Sequence, residues 1–211
     1  MRDAEFFRDW LRTAATAVER SADLLTELDS PIGDADHGGN LLRGFTAVAA
    51  ELDPPGATSD TASGTPGAVL VRAGRTLIST VGGASGPLYG TLLRQAGKEL
   101  GEAAAVSDEE LARALEAGVG AVARLGGAAP GDKTMLDALL PGVGALGGSY
   151  RAAATAAEDG ARATVPMLAR KGRASYLGER SVGHRDPGAA SAALLLEALA
   201  ETAERADGVV A

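Results

Sequence analysis

The sequence predicts an all-α fold, a bundle or closed ring of helices, and three observations lead to that prediction. Apolar residues recur at three- and four-residue steps in about eight segments, which is the spacing of one buried helix face. No segment shows the alternation of β-branched and polar residues that a half-buried strand requires. Turns rich in glycine or proline separate the segments, as expected between consecutive helices. At 211 residues the chain lies near the upper range of one domain, so we expect residues 1–211 to form a single domain.

The first two predicted helices flank a charged loop. The first runs from Phe6 to Leu28, and its apolar side is formed by Phe6, Phe7, Trp10, Leu11, Val18, Leu24, Leu25 and Leu28. Pro31 ends that pattern, and Gly39 or Asn40 is expected to cap a second helix. The stretch Asp53–Pro66, rich in proline, glycine, serine and threonine, is predicted to be a surface loop without chemistry.

The same spacing predicts six further helices. They cover Val69–Ile78, Leu88–Leu93, Leu111–Leu125, Thr134–Leu146, Tyr150–Arg170 and Ala189–Glu204. Ser107-Asp108-Glu109-Glu110 has the pattern of a capping box. Asp132 is expected to cap the helix that follows it, and Asp186-Pro187 begins the last one. In an up-and-down arrangement, loops separated by an even number of helices share one end of the ring, and a site can be assembled there.

The composition excludes several classes of partner. The formal net charge of −8 argues against a surface that binds nucleic acid or an anionic membrane, because those partners require a basic face, so we expect neither partner. The absence of cysteine rules out disulfides and thiolate metal sites. The N-terminal residues are charged where a signal peptide needs an apolar core, and no apolar run approaches the roughly 20 residues of a membrane span. We therefore expect a soluble, cytoplasmic protein.

The densest charge lies in the loop after the first helix, where Asp29, Asp34 and Asp36 precede His37. Carboxylates this close raise one another's pKa unless a cation neutralises them. Oxygen ligands favour Mg²⁺ or Ca²⁺, and Mg²⁺ commonly shares its ligand shell with phosphates. The distal glutamate of an EF-hand loop is missing, which leaves Mg²⁺ with a phosphate as the functional interpretation. The structural alternative is that these residues form turns and cap backbone N–H groups, and the loop alone leaves both open.

Three other stretches are candidates for a phosphate contact. The glycine-rich start of a helix at Val81–Pro87 offers free N–H groups to an anion, but it is equally typical of a tight turn. Gly126–Thr134 looks like a Walker A loop, but Asp132 stands where the lysine must be and a helix precedes it, so we reject that interpretation. The basic concentration within Ala169–Arg185 supplies guanidinium groups that either pair with phosphate or remain solvated.

Taken together, four motifs closely resemble the nucleotide-binding L subunit of dihydroxyacetone kinases, the DhaL family. In order they are Leu28-Asp29 with Ile32–Gly38, Val81–Leu88, Pro130–Met135, and Ala169–Ser181 with Gly183-His184 and Asp186-Pro187-Gly188. The resemblance runs from the end of the first helix to the C-terminal helix. It implies an eight-helix antiparallel barrel in which ADP or ATP is held at one end through two Mg²⁺ ions.

The resemblance also assigns site residues, position by position. It implies that the metal ligands are Asp29, Asp34 and Asp36. It implies that the nucleotide is contacted by His37, Gly38, Gly39, Asn40, Ala84, Ser85, Gly126, Met135, Arg173, Asp186, Pro187 and Gly188. Of these, Asn40, Ala84 and Ser85 belong to the phosphates, and Gly126 and Met135 to the adenine. No catalytic side chain is expected, because phosphoryl transfer depends on positioning and charge neutralisation.

The implied function is the ADP-carrying subunit of a multi-subunit dihydroxyacetone kinase of the phosphotransferase-system type. Such a subunit accepts a phosphoryl group from a phosphohistidine carrier, the M subunit, and passes it to dihydroxyacetone held by a K subunit. One alternative is a kinase subunit that uses exchangeable ATP, on dihydroxyacetone or on another triose, tetrose or acyl substrate. An alternative of another class is a partner of a transcription regulator that responds to the nucleotide state. We also expect a homodimer.

Overall fold

The computed structural model describes residues 1–52 and 64–208, and helices make up most of them. The α-helices are α1 (Ala4–Asp29), α2 (His37–Leu52), α3 (Pro66–Thr80), α4 (Ser85–Leu100), α5 (Asp108–Gly126), α6 (Leu136–Gly144), α7 (Tyr150–Ala163) and α8 (Pro187–Ala206). A 3-10 helix, Arg173–Ser181, lies between α7 and α8. Two short strands, β1 (Arg2–Asp3) and β2 (Ala105–Val106), pair antiparallel. Most of the predicted loop at 53–66 lies outside the described residues.

The α-helices form a closed ring in chain order. Each helix packs against the next, and α8 packs against α1, so the all-α prediction is confirmed. Trp10 of α1 is fully buried and donates from Nε1 to the backbone oxygen of Leu195 in α8, at 2.9 Å. At one end of the ring, Arg2 pairs with Asp108 at 2.9 Å and with Asp207 at 2.7 Å. These contacts join the first helix to the last. Among the helices in residues 1–52 and 64–208, none is both long and apolar enough to cross a bilayer.

Glycines allow α3 and α4 to pack with their backbones in contact. A Cβ on Gly74 would lie 2.6 Å from the oxygen of Gly90, and a Cβ on Gly90 would lie 2.6 Å from the oxygen of Gly74. Gly67 and Gly97 are related in the same way, with a distance of 2.5 Å in each direction. Side chains here would force the helices apart, since interiors have no room for such overlaps. The close pair fixes the position of the turn that joins α3 to α4.

The second helix begins earlier than predicted. α2 starts at His37 rather than at a cap formed by Gly39 or Asn40. The reason is Asp29, whose Oδ2 accepts hydrogen bonds from the N–H groups of Asp36 (3.0 Å) and His37 (3.3 Å). A carboxylate at the end of the preceding helix thus caps the next one, a role that prediction normally assigns to an adjacent residue.

The prediction of the seventh helix is too long. α7 ends at Ala163 instead of continuing to Arg170. Pro166 has no N–H group to donate and disfavours helical backbone in the residue before it, so the helix stops ahead of it. On the first helix, Leu24 is 53% exposed although its spacing suggested the buried face.

The cap predicted for the sixth helix is also wrong. α6 begins at Leu136, and the carboxylate of Asp132 turns back to accept from the N–H of Ala129 at 2.8 Å. Asp137, inside the helix, accepts instead from the N–H groups of Gly131 (2.6 Å) and Thr134 (2.8 Å). The preceding loop is therefore stabilised from within the helix.

Candidate functional site

One end of the helix ring contains a cavity of about 510 Å³. It is formed by the loops that join α1 to α2, α3 to α4, α5 to α6 and α7 to α8, together with adjoining helix ends. These are alternate loops along the chain, the set that an up-and-down ring brings to one end. Of the predicted site residues, the lining includes Asp29, Asp34, Asp36, His37, Asn40, Ala84, Ser85, Gly126, Met135, Arg173, Asp186, Pro187 and Gly188.

Two of the predicted contacts, Gly38 and Gly39, are not among the lining residues. A Cβ on Gly38 would lie 1.9 Å from the backbone oxygen of Ala22, so this glycine allows α2 to pack on α1. No atom lies within 4 Å of the Cβ position of Gly39. For these two residues a contact with the nucleotide stays a prediction.

Three carboxylates form one wall of the cavity. Asp29 ends α1, Asp34 and Asp36 follow in the loop, and one oxygen of each lies within 4.8 Å of the others. Asp29 is buried, whereas the other two are exposed. A cluster that offers only oxygen suits a hard divalent cation better than zinc. In the part of the chain that the structure describes, no other group of three histidine, cysteine or acidic side chains converges in this way.

The loop backbone is shaped around the carboxylate of Asp29. A Cβ on Gly33 would lie 1.9 Å from Asp29 Oδ1, so only glycine leaves room for that oxygen. Ala35, between the two exposed aspartates, has a left-handed backbone with φ of +59°. For a residue with a Cβ this conformation costs about 1–2 kcal/mol. The surrounding hydrogen bonds maintain this loop conformation, in which Asp34 and Asp36 lie beside Asp29.

Arg173, at the start of the 3-10 helix, reaches the acidic wall. Its Nη2 lies 2.9 Å from Asp34 Oδ2, and both side chains are exposed. An exposed pair of this kind contributes little to stability. Its importance is positional, because it places a guanidinium group from the loop between α7 and α8 at the cavity, next to the loop between α1 and α2.

A chain of hydrogen bonds runs from the cavity into the core. Ser85 Oγ lies 3.2 Å from His37 Nδ1, and His37 Nε2 lies 2.9 Å from Ser191 Oγ. Ser191 Oγ lies 2.7 Å from Tyr89 Oη and also donates to the backbone oxygen of Gly188 at 3.0 Å. Burial lowers the pKa of His37, which favours the neutral imidazole, and burial raises the pKa of Tyr89. The hydroxyl of Ser85 is therefore held in place by groups of the core.

Lys133, which the sequence analysis did not single out, joins two of the site loops. Its side chain is buried, with 1% exposed. Nζ donates to the backbone oxygens of Thr164 (3.0 Å), Met167 (3.2 Å), Ser181 (2.7 Å) and His184 (2.5 Å). Burial lowers the pKa of Lys133, while the charge of nearby Asp186 opposes that shift. The loop between α7 and α8 is thus fastened to the loop between α5 and α6. No sequence pattern marks this role, because the acceptors are backbone atoms 31 to 51 positions away.

The last helix begins at Asp186-Pro187, as predicted, and the side chain of Asp186 caps α8. Its Oδ2 accepts from the N–H of Ala189 at 2.7 Å, and its own N–H donates to Thr164 Oγ1 at 2.9 Å. Burial raises the pKa of Asp186 to about 7, although the Ala189 hydrogen bond and Lys133 favour the charged form.

The cavity combines three kinds of surface. The carboxylates form an acidic wall, and the turn before α4 presents the N-terminus of a helix, which suits an anion. A third side is apolar and suits a flat ring, with the residues Leu88, Val122, Leu125, Ala128 and Met135. The combination suits a ligand that has both an aromatic ring and phosphates, with a cation between the phosphates and the acidic wall.

Comparison with known proteins agrees with this chemistry. A family model described as "DAK2 domain" matches residues 31–201. The chain is 42% identical over 206 residues to the "PEP-dependent dihydroxyacetone kinase, ADP-binding subunit DhaL" of Escherichia coli (strain K12), covering 93% of this chain and 95% of that protein. It is 39% identical over 213 residues to the corresponding subunit of kinase 2 of Listeria innocua, covering 97% of each. It is also 39% identical over 197 residues to the "D-erythrulose kinase" of Mycolicibacterium smegmatis, covering 89% of this chain but 33% of that protein.

Two solved structures share the fold. One is the dihydroxyacetone kinase of C. freundii in its native form, with a TM-score of 0.73 and 25% identity. The match covers 96% of this chain and 36% of that protein. The other is the C. freundii kinase in complex with AMP-PNP and Mg²⁺, with a TM-score of 0.71, 26% identity, 92% of this chain covered and 33% of that one.

Proposed function

This chain belongs to the family of DAK2 domains, and from that premise we propose that it is the ADP-binding subunit of a phosphoenolpyruvate-dependent dihydroxyacetone kinase. In this role it carries the nucleotide through which a phosphoryl group passes from a phosphohistidine carrier, the M subunit, to dihydroxyacetone on a K subunit. The similarity to proteins named as ADP-binding subunits supports the proposal, since the alignments span nearly all of both chains. The observation that carries it is the convergence of Asp29, Asp34 and Asp36 on a cavity whose other walls suit a nucleotide.

The donor set of the acidic wall fits Mg²⁺. All three donors are carboxylate oxygens, and the exposure of Asp34 and Asp36 leaves room for waters and phosphate oxygens as further ligands. We propose that Asp29, Asp34 and Asp36 hold two ions. When bound there, Mg²⁺ supplies charge that neutralises both the phosphates and the wall. The related C. freundii kinase was solved with AMP-PNP and Mg²⁺, which is in line with this assignment.

The remaining site residues are proposed to position the nucleotide. Asn40 and the Ala84-Ser85 turn would face its phosphates, and Gly126 and Met135 its adenine. At the rim, contacts would come from His37, Arg173, Asp186, Pro187 and Gly188. None of these residues needs to act as a nucleophile, because the protein's contribution to phosphoryl transfer is to hold and neutralise the reacting groups.

The most direct test is mass analysis of the nucleotide released when the purified protein is denatured. The proposal expects one equivalent of ADP, or stoichiometric binding of added Mg-ADP by protein that has been stripped of nucleotide. A protein that carries no nucleotide and binds none in the presence of Mg²⁺ would refute the proposal.

A matched pair of variants tests the metal site. The exposed carboxylate of Asp36 makes no hydrogen bond within the described residues, so Asp36→Asn removes a ligand charge without disturbing packing. We expect it to weaken Mg-ADP binding by roughly tenfold or more, since even outer-shell changes at metal sites cost 10- to 100-fold. Asp23→Asn, at an exposed position of α1, serves as the control. Equal binding by the two variants would contradict the assignment of Asp36.

A second candidate function is favoured by the similarity to the D-erythrulose kinase of M. smegmatis. In that case the chain would serve a kinase with exchangeable ATP, acting on dihydroxyacetone or on another triose, tetrose or acyl substrate. The exchange rate of labelled nucleotide separates the two candidates. Retention of ADP through purification and turnover supports the first function, whereas rapid exchange and phosphorylation supported by ATP alone support the second.

Three further properties are also proposals. We propose a cytoplasmic location, a homodimer, and contact with a transcription regulator that depends on the nucleotide state. Light scattering on the purified protein tests the dimer. Co-elution with a regulator in the presence of ADP, compared with ATP, tests the regulatory contact.

A further inference from the structure

We propose that Arg43 is a positioning residue, one that turns the side-chain amide of Asn40 so that its NH₂ group faces the phosphates of the bound nucleotide. The inference rests on the proposed function, because it takes the ligand of the cavity to be Mg-ADP. It adds a residue of α2 that the sequence analysis did not select and that does not line the cavity.

Arg43 forms a bridge between α2 and the end of α3. Its Nη2 donates to Asn40 Oδ1 at 2.6 Å, and its Nε donates to the backbone oxygen of Thr80 at 2.9 Å. Gly82 packs on this bridge, since a Cβ there would lie 2.8 Å from Asn40 Oδ1 and 3.3 Å from Arg43 Nη2. The guanidinium group therefore links the first turn of α2 to the glycine-rich turn before α4.

The bridge determines which end of the amide is available to a ligand. A guanidinium group only donates hydrogen bonds, so the atom of Asn40 that it contacts must be the carbonyl oxygen. The amide nitrogen is left over, and no hydrogen bond among residues 1–52 and 64–208 uses it. Asn40 is nearly buried, with 9% exposed, and lines the cavity that contains the three carboxylates. An amide held in this orientation offers a hydrogen-bond donor, which complements a phosphate oxygen and repels a cation.

The test separates three possible roles of Arg43. Arg43→Gln keeps a nitrogen in the position of Nε, which can still donate to the oxygen of Thr80, but it has no atom in the position of Nη2. If Arg43 only tethers α2 to α3, Arg43→Gln should therefore bind Mg-ADP as tightly as the wild type. A role through long-range charge would lower Mg-ADP affinity to the same extent whether or not Asn40 is present. A positioning role would lower the affinity only when Asn40 is present.

The experiment is a double-mutant cycle on nucleotide-free protein, with the Kd for ADP measured by calorimetry in excess Mg²⁺. The variants are Arg43→Gln, Asn40→Ala and the double variant. We expect Arg43→Gln to weaken binding about tenfold in the wild-type background, the size of one lost hydrogen bond to a charged group, and less than twofold in the Asn40→Ala background. Arg75→Gln, at an exposed position of α3, controls for the loss of a positive charge.

Two results would overturn the inference. One is a loss of equal size in both backgrounds, and the other is wild-type affinity in Arg43→Gln. Asn40→Asp provides a second measurement. It keeps an oxygen that can accept from Arg43, but it presents an acceptor to the ligand where the amide of Asn40 presents a donor. It must bind Mg-ADP more weakly than Asn40→Ala, and equal or tighter binding would also overturn the inference. If the wild type binds no Mg-ADP, both the proposed function and this inference fail. If it binds Mg-ADP and the effects of the two substitutions are additive, only the role of Arg43 is refuted.

Discussion

Replacing Lys133 with methionine tests how the loop between α7 and α8 is held at the cavity. The ammonium group is buried and donates to four backbone oxygens of that loop. Methionine has a similar length and no donor. Both residues carry a Cβ, so the left-handed backbone at this position, with φ of +62°, is equally unfavourable before and after the change. The substitution therefore isolates the hydrogen bonds.

The size of the effect follows from what happens to the four acceptors. The oxygen of Thr164 also accepts from the N–H of Met167, at 3.1 Å, and keeps that partner. The oxygens of Met167, Ser181 and His184 accept no other hydrogen bond within the described residues. Each buried acceptor that is left without a donor destabilises the folded state by about 1–3 kcal/mol. The variant offsets part of this loss, because it no longer buries an ammonium group. We expect a net decrease of about 3–5 kcal/mol in the free energy of unfolding, a large part of the 5–15 kcal/mol typical of a domain.

The assay is urea unfolding, supported by hydrogen exchange of residues 164–185. Lys98→Met, at an exposed position of α4, is the control, and we expect it to change the free energy of unfolding by less than about 0.5 kcal/mol. In Lys133→Met, exchange should accelerate first between α7 and α8, because those carbonyl groups lose their donor. If the two variants unfold at the same urea concentration and residues 164–185 keep their protection, the assignment of Lys133 as the anchor of this loop is wrong.

Three further predictions concern the loops around the carboxylates. Gly33→Ala should weaken Mg-ADP binding at least tenfold, because a Cβ at position 33 would overlap Asp29 Oδ1. The control is Gly144→Ala, where a Cβ meets nothing within 4 Å, and it should leave Mg-ADP binding unchanged. Ala35→Gly should raise the free energy of unfolding by up to about 1 kcal/mol, measured by urea unfolding, since glycine adopts positive φ without strain. A lower free energy of unfolding would contradict the inference that Ala35 is strained. Asp186→Asn keeps the cap but cannot ionise. The folded protein holds the proton of Asp186 up to a pKa of about 7 and the unfolded chain releases it near 3.8, so ionisation lowers wild-type stability as pH rises between these values. Relative to Asp186→Asn, nucleotide-free wild type should therefore lose on the order of 3 kcal/mol between pH 4 and 7, and parallel pH profiles would refute this.

The features that could be predicted from the sequence are those with local causes. The capping box at Ser107 is one example, since Ser107 Oγ accepts from the N–H of Glu110 at 3.2 Å and the carboxylate of Glu110 accepts from the N–H of Ser107 at 2.7 Å. Both partners lie within four residues, so the pattern contains the whole interaction. The number of α-helices in residues 1–52 and 64–208 and the start of α8 at Asp186-Pro187 were likewise predictable from local patterns.

The features that could not be predicted depend on contacts between distant parts of the chain. The start of α2 is determined by Asp29, eight positions before His37, and not by a residue next to the helix. Lys133 acts through backbone oxygens, which every sequence offers at every position. The strand pair at Arg2 is too short to show any alternation, and the ion pairs of Arg2 with Asp108 and Asp207 join positions more than 100 residues apart in the sequence. In each case the sequence contains the residues but no local pattern that reveals the partner.

The charges at the cavity imply that metal and nucleotide must bind together. The cationic residues that line it are Lys133, Lys171 and Arg173, and the acidic ones are Asp29, Asp34, Asp36 and Asp186. Lys133 is directed at backbone oxygens, and Arg173 already lies against Asp34. Among the described lining residues this leaves Lys171 as one cation against the carboxylates of Asp29 and Asp36, so a diphosphate approaching the acidic wall without Mg²⁺ would meet net repulsion. Each partner lowers the cost of binding the other, and by linkage Mg²⁺ must strengthen ADP binding by the same factor as ADP strengthens Mg²⁺ binding.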